Sequence, residues 1–183
     1  MKSRNAVTTV TCVLLITACG GGGSSSSGSE QKYVDALVTG LQRDSSQGGT
    51  GFTDSENVCI AEGVVRIIGV KAFEDAGISP DELAKSDQTK LPDVSDAKHE
   101  DLRALLFDGD CVDMVSTIAA TFTSAESGVA DDAKVNCLAK AVVNDESMQN
   151  YIVDGLLGRD TTAVESEVST LVQAAATDCG IGS

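Results

Sequence analysis

The chain has 183 residues and a formal net charge of −15, with 28 acidic side chains against 13 basic ones. So acidic a surface is repelled by phosphate backbones and by anionic head groups, which excludes nucleic-acid binding and membrane docking through the folded domain itself. The aromatic set is Tyr33, Phe52, Phe73, Phe107, Phe122 and Tyr151, with no Trp, and modules that stack sugars or bases on exposed rings are disfavoured.

Lys2 and Arg4 form a basic start, and Ala6 to Thr17 is an apolar run too short to cross a bilayer. The residues before Cys19 are Ile16-Thr17-Ala18, aliphatic then small then small. This stretch resembles the lipobox of bacterial lipoproteins. The resemblance implies that residues 1–18 are a signal peptide and that the Cys19 thiol carries diacylglycerol as the new N-terminus. The chain would then be lipid-anchored to the cell membrane on its extracytoplasmic face. Losing residues 1–18 removes two cations and no acid, so the net charge moves from −15 to −17. Residues 20–29 are Gly and Ser alone, a flexible tether with an r.m.s. reach of roughly 17 Å. The expected division is signal 1–18, lipidated Cys and tether 19–29, and an acidic domain 30–183.

Across residues 34–77 and 112–155 the chain repeats itself at an offset of 78 residues without a gap, and the two cysteine loops then differ in length near Pro92. Val34-Asp35 matches Val112-Asp113, Asp54 matches Asp132, Cys59 matches Cys137, and Ala61 matches Ala139. Val64-Val65 matches Val142-Val143, Phe73 pairs with Tyr151, and Gly77 with Gly155. Cysteine, apolar spacing and turn residues stay in step, as in a diverged duplication with units at about 33–110 and 111–179.

In the first unit, Tyr33, Val34, Leu37, Val38 and Leu41 predict a helix over 31–43. Thr53-Asp54-Ser55-Glu56 is a capping box opening a second helix to about Gly69. A short helix from Lys71 ends at Gly77, and Ser79-Pro80-Asp81-Glu82 starts a fourth with Pro at its first position. Residues 87–94, containing Pro92, predict a loop, and Ser95 caps a fifth helix to Phe107. In the second unit, Asp110 to Phe122 predicts the leading helix, and Asp131 or Asp132 caps the cysteine helix. Asp145 to Leu157 follows, closed by Gly158, and Thr162 with Glu165 predicts a capping box for a last helix through Ala176. No alternating pattern of strand length occurs. The expected fold is all-α, with two tandem units packed as one small domain of about seven to nine helices.

Of six cysteines, Cys12 leaves with the signal and Cys19 takes lipid. The even set Cys59, Cys111, Cys137 and Cys179, in an exported domain, predicts disulfides, and four cysteines allow three pairings. The duplication favours Cys59–Cys111 and Cys137–Cys179, because each unit has one cysteine in its second helix and another just past its last. Each bridge contributes roughly 4 kcal/mol in the chain-entropy account. The alternative use of these thiols, zinc or redox chemistry, lacks a C-x-x-C pair, and His99 is the one histidine.

Other chemistry has little footing. Asp108, Asp110 and Asp113 place oxygens at calcium-like spacing, but the later Gly and Glu of an EF-hand loop are absent. They are read as helix caps, with Asp110 at N-cap and Asp113 at N3. His99 lies among charged neighbours and is expected on the solvent side. Gly48-Gly49-Thr50-Gly51 has no following Lys-Ser/Thr and no preceding strand, so it is not a phosphate loop. No nucleophile elbow occurs and nothing singles out a pair of carboxylates. No enzyme activity, cofactor or metal is expected.

The motifs Asp54 with Cys59-Ile60-Ala61, Gly77-Ile78-Ser79-Pro80-Asp81-Glu82-Leu83, and Asn136-Cys137-Leu138-Ala139 resemble a group of exported proteins common in actinobacteria, over residues 50–180. The resemblance implies a helical, disulfide-containing fold in a Gram-positive envelope and assigns no site residues. The expected function is a non-catalytic envelope lipoprotein that binds another envelope protein or serves as an accessory subunit. The alternative is a carrier holding a lipid or other small hydrophobic molecule between helices.

Overall fold

The apolar stripes of the sequence all become helices. The computed structural model describes residues 28–46, 52–85, 91–109, 111–125 and 131–181, and no strand forms among them. Cys12, Cys19, the Gly48–Gly51 loop and Asp110 lie outside the described residues. The described helices are α1 (Gly28–Ser46), α2 (Asp54–Ile68), α3 (Val70–Asp75), α4 (Pro80–Lys85), α5 (Asp96–Phe107), α6 (Met114–Ala125), α7 (Asp132–Val143), α8 (Glu146–Leu156) and α9 (Thr162–Asp178).

Caps decide where several of them begin. At α2 the Glu56 amide donates to Thr53 Oγ1 (3.3 Å) and the Thr53 amide donates to Glu56 Oε2 (2.7 Å), the reciprocal box read from the sequence. The same exchange opens α4, where the Ser79 amide reaches Glu82 Oε2 at 2.9 Å and the Glu82 amide reaches Ser79 Oγ at 3.3 Å. Asp131 accepts from the Ala133 amide and Asp145 from the Met148 amide, capping α7 and α8. Gly77, at φ 71°, ends the turn after α3, and the Ile78 amide closes back on the Phe73 carbonyl at 2.9 Å.

Four boundaries differ from expectation. α1 runs through Gly28 and Ser29, which composition had placed in the tether, because a buried face anchoring the helix carries its first turn along. α6 starts at Met114, and its cap is Asp113 rather than Asp110: Asp113 Oδ1 accepts from the Ser116 amide at 3.0 Å. The Thr162–Glu165 box does not form. Asp160 instead accepts from the Thr162 amide (3.0 Å) and hydroxyl (2.6 Å), a short side chain two residues upstream winning the exposed donor. Ser95 holds the N-cap position of α5 but makes no side-chain capping bond.

The largest core cluster is built on Tyr33, Leu37, Ile60, Val64, Phe73 and Leu102, and it continues into the second unit through Val143, Val153 and Leu157. The two units therefore share one interior. Each fully buried large side chain in it contributes about 1.5–3 kcal/mol of transfer free energy. The Tyr33 and Phe73 rings lie 4.9 Å apart in a tilted pair. A smaller cluster, Leu138, Val142, Met148 and Ala175, sits within the second unit beneath α9.

The helix pairings recur between the units. α1 packs on α2 as α6 does on α7, α2 on α5 as α7 on α9, and α2 on α3 as α7 on α8. α2 and α7 begin at the matched residues Asp54 and Asp132. Two features break the correspondence. Among the described helices, α4 covers α1 and has no counterpart over α6, and Gly155 lies inside α8 while Gly158, at φ 66°, ends it. The disulfides are Cys59–Cys111 and Cys137–Cys179, spanning 52 and 42 residues with Cα atoms 5.5 and 5.8 Å apart. Each ties the second helix of a unit to the end of its last.

The scarce cations close helix ends. Lys98 Nζ donates to the Ile68 carbonyl at the end of α2 (2.7 Å), Lys134 Nζ to the Gly180 carbonyl past α9 (2.6 Å), and Arg43 to the Ala84 carbonyl in α4. Unpaired C-terminal carbonyls carry the negative end of the helix dipole, so a cation there serves both charge and hydrogen bonding.

Candidate functional site

Gly77 turns the chain from α3 into α4, and residues 91–93 return beside them, leaving an open cleft of about 590 Å³. Its floor is apolar: Leu83, Leu91 and Pro92 are buried and Ile78 is half-buried. Its rim carries the exposed Glu82, Lys85 and Asp93. These charges are mutually engaged. The Ser79 amide and hydroxyl hold the Glu82 carboxyl below its ordinary range, and the Lys85 ammonium adds to that. Asp93 Oδ1 accepts from Arg159 Nη2 at 3.0 Å. The Tyr33 hydroxyl donates to the Ile78 carbonyl at 3.0 Å and fixes the cleft wall to α1. A second recess of about 580 Å³ lies across α4, where Lys32, Asp35, Thr39, Ser79 and Asp81 surround the small apolar side chains of Ala36, Pro80 and Ala84.

A polar seam joins the two units where α5 meets α8. His99 Nε2 lies 3.2 Å from Asp154 Oδ1, which also accepts from Arg159 Nη1 at 3.1 Å. Arg159 reaches on to Asp93 and to the Val94 carbonyl. One turn along, Arg103 Nη1 donates to Gln149 Oε1 (2.7 Å), and Gln149 Nε2 donates to the Val143 carbonyl (2.8 Å). His99 thus faces the seam, with its side chain 13% exposed, and the expected solvent position is corrected. It falls on the stripe of Leu102 and Leu106, three and seven residues on, and that spacing was the available signal. Nothing in sequence spacing marks Asp154 or Arg159.

Asp108 is the exposed C-cap of α5, and Asp113 is committed to Ser116, whose hydroxyl and amide hold its carboxyl below the ordinary range. Asp110 lies outside the described residues, and no group of three or more metal-ligating side chains occurs among those described. The four domain cysteines are all in disulfides. No described helix is long and apolar enough to cross a membrane.

No protein-family model, curated protein or solved structure matches the chain. Function is therefore read from this geometry and from the sequence alone.

In chemical terms, the seam offers no nucleophile beside His99, and its carboxylates are engaged by Arg159 and His99. It holds two helical units together. The cleft offers an apolar surface with polar groups at its mouth, the form of a small-molecule site, and its volume falls in the usual range of about 300–1,000 Å³.

Proposed function

We propose that this protein is a non-catalytic accessory component of a bacterial envelope, held to the membrane by lipid on Cys19 and acting by binding another envelope protein. The observation that carries the binding role is the incomplete cover of the second unit. Phe122, Tyr151, Val168, Leu171 and Val172 ring its small core half-buried, whereas the half-buried rim of the larger core, Phe52, Ile67 and Phe107 among it, surrounds far more buried residues. A monomer with such a rim gains by covering it, and a net charge of −15 favours a partner of basic character. The matched helix pairings and bridges support descent of the two units from one duplicated sequence. The lipobox resemblance and the exported character of the disulfides support the compartment.

A photo-reactive phenylalanine at Phe122, in cells, is expected to give one discrete adduct, while the same probe at the exposed Val58 of α2 gives none. Equal labelling at both positions, or none at either, removes the reading. Cys19→Ala is expected to shift the chain from the membrane fraction to the soluble fraction. Retention in the membrane would sink the anchor.

The cleft beside α4 favours a second reading, that of a carrier for a lipid or other small hydrophobic molecule.

A further inference from the structure

The two disulfides hold matched places in the two units and sit among opposite charges. Within three residues of Cys59 or Cys111 stand Glu56, Glu62, Asp108, Asp110 and Asp113, five acids with no base. Within three residues of Cys137 or Cys179 stand Lys134, Lys140 and Asp178, two bases against one acid. The inversion falls at corresponding positions: Glu56 and Glu62, either side of Cys59, are matched by Lys134 and Lys140 either side of Cys137. Residues three apart on a helix are surface neighbours, so each pair brackets its cysteine on α2 or α7. Lys134 also spans the second bridge, because its ammonium donates to the carbonyl of Gly180, the residue after Cys179, at 2.6 Å. Access differs in the same direction, with Cys137 exposed and Cys59 half-buried.

A disulfide opens by attack of a thiolate on sulfur, at a rate set by access and by the stability of the thiolate that leaves. Incoming and leaving groups are both anions, so flanking ammonium groups favour exchange and flanking carboxylates oppose it. We propose that Cys137–Cys179 is a thiol-exchange site, opened by a dithiol reductant while Cys59–Cys111 stays closed. One thiolate of the dithiol attacks Cys137 Sγ, the S–S bond breaks, and the electron pair leaves on Cys179 Sγ, which takes up a proton. The second thiolate attacks the reductant's own sulfur in the mixed disulfide and releases Cys137 as a thiolate between Lys134 and Lys140. The reductant ends as a disulfide and the protein as two reduced cysteines. Opening frees the end of α9, a helix of 17 residues in which Ala175 is the buried one. The inference is independent of the partner, the carrier and the anchor.

The test uses the full chain carrying Cys12→Ala and Cys19→Ala, so that any thiol detected comes from one of the two bridges. Dithiothreitol is added under native conditions, samples are quenched with N-ethylmaleimide, and peptide mapping follows each cysteine in time. Cys137 and Cys179 are expected to be labelled about tenfold faster than Cys59 and Cys111. Added salt is expected to narrow that ratio by screening. Lys134→Glu with Lys140→Glu is expected to slow opening of the second bridge about fivefold, and Glu62→Lys to speed the first. The reversal also separates charge from packing, because loss of the Lys134 bond to Gly180 would by itself loosen α9 and speed opening. Lys134→Arg with Lys140→Arg is expected to keep the unsubstituted rate. Equal labelling of the two bridges, or earlier labelling of Cys59 and Cys111, overturns the proposal. A second bridge that opens first but is not slowed by charge reversal overturns the part assigned to the lysines.

Discussion

Phe73 and Tyr151 stand 78 residues apart at matched positions, one fully buried and the other half-exposed. The same contrast runs through the two units. In the first, α4 lies over α1, and Phe73 stacks near Tyr33 beneath it. In the second, the stretch matching α4 is the turn at Gly158 and the start of α9, so among the described elements none caps α6 in that way and the ring at 151 is only half-buried. One six-residue helix accompanies the deeper burial of the ring at 73. Equal helix pairings do not by themselves give equal burial.

The most severe way to probe the contrast is to truncate both rings. Phe73→Ala is expected to cost about 5 kcal/mol, the upper end for a fully buried ring with a ring partner, and Tyr151→Ala only about 1–2. Chemical denaturation of the two variants decides it, and equal losses would mean that the second interior is as tight as the first. Next comes the bridge that closes the thinner unit. Cys137→Ala with Cys179→Ala removes a 42-residue closure and is expected to cost about 4 kcal/mol. Amide exchange should then rise along α9 while α2 stays protected. Uniform loss of protection would show that the units unfold as one.

These contrasts were only partly legible beforehand. Helix number and the two true capping boxes follow from short-range spacing, because caps and apolar stripes are settled within a few residues of themselves, while the disulfide pairing follows from the matched cysteine positions of the repeated pattern. The seam was not legible, since Asp154 and Arg159 acquire meaning only when α8 is docked on α5. His99 is the instructive case. Its charged neighbours suggested solvent, yet its register with Leu102 and Leu106 was the stronger determinant. The cleft is likewise a product of where residues 91–93 return, which no local pattern states. Asp110 was preferred to Asp113 as the α6 cap because both precede the same apolar run, and only the observed helix start separates them.

A smaller effect sharpens the comparison from the other side. Asn57 is 1% exposed with Oδ1 unpartnered, while the matched position in the second unit is Val135. Leaving a buried acceptor unmet costs about 1–3 kcal/mol and Val and Asn have similar helix propensity, so Asn57→Val should stabilise the chain by about 1 kcal/mol. A lower denaturation midpoint would contradict the unmet acceptor. The mildest test is acid. Glu82, Asp113 and Asp160 all have carboxyls held below their ordinary range by hydrogen bonds, so each binds its proton less readily folded than unfolded. Their contribution is complete above the unfolded value of about 4 and fades as pH falls through the lower folded values. The melting midpoint should hold from neutrality to about pH 5 and decline below about 4. Replacing Glu82 by Gln should flatten part of that decline in the first unit, and Asp160→Asn in the second.

The placement of the bridges also governs how the chain answers to tension. A pull entering at the N-terminus meets α1 and the first turn of α2 before it reaches Cys59. The helical residues of both can peel away and lengthen the chain by about 2 Å each, the difference between an extended and a helical residue, on the order of 50 Å. There the extension stops, because the path jumps from Cys59 to Cys111 through sulfur and the residues between them carry no load. The second bridge shields residues between Cys137 and Cys179 in the same way. Under force the protein would lengthen by releasing α1, and that release would also strip Tyr33 from the wall of the cleft.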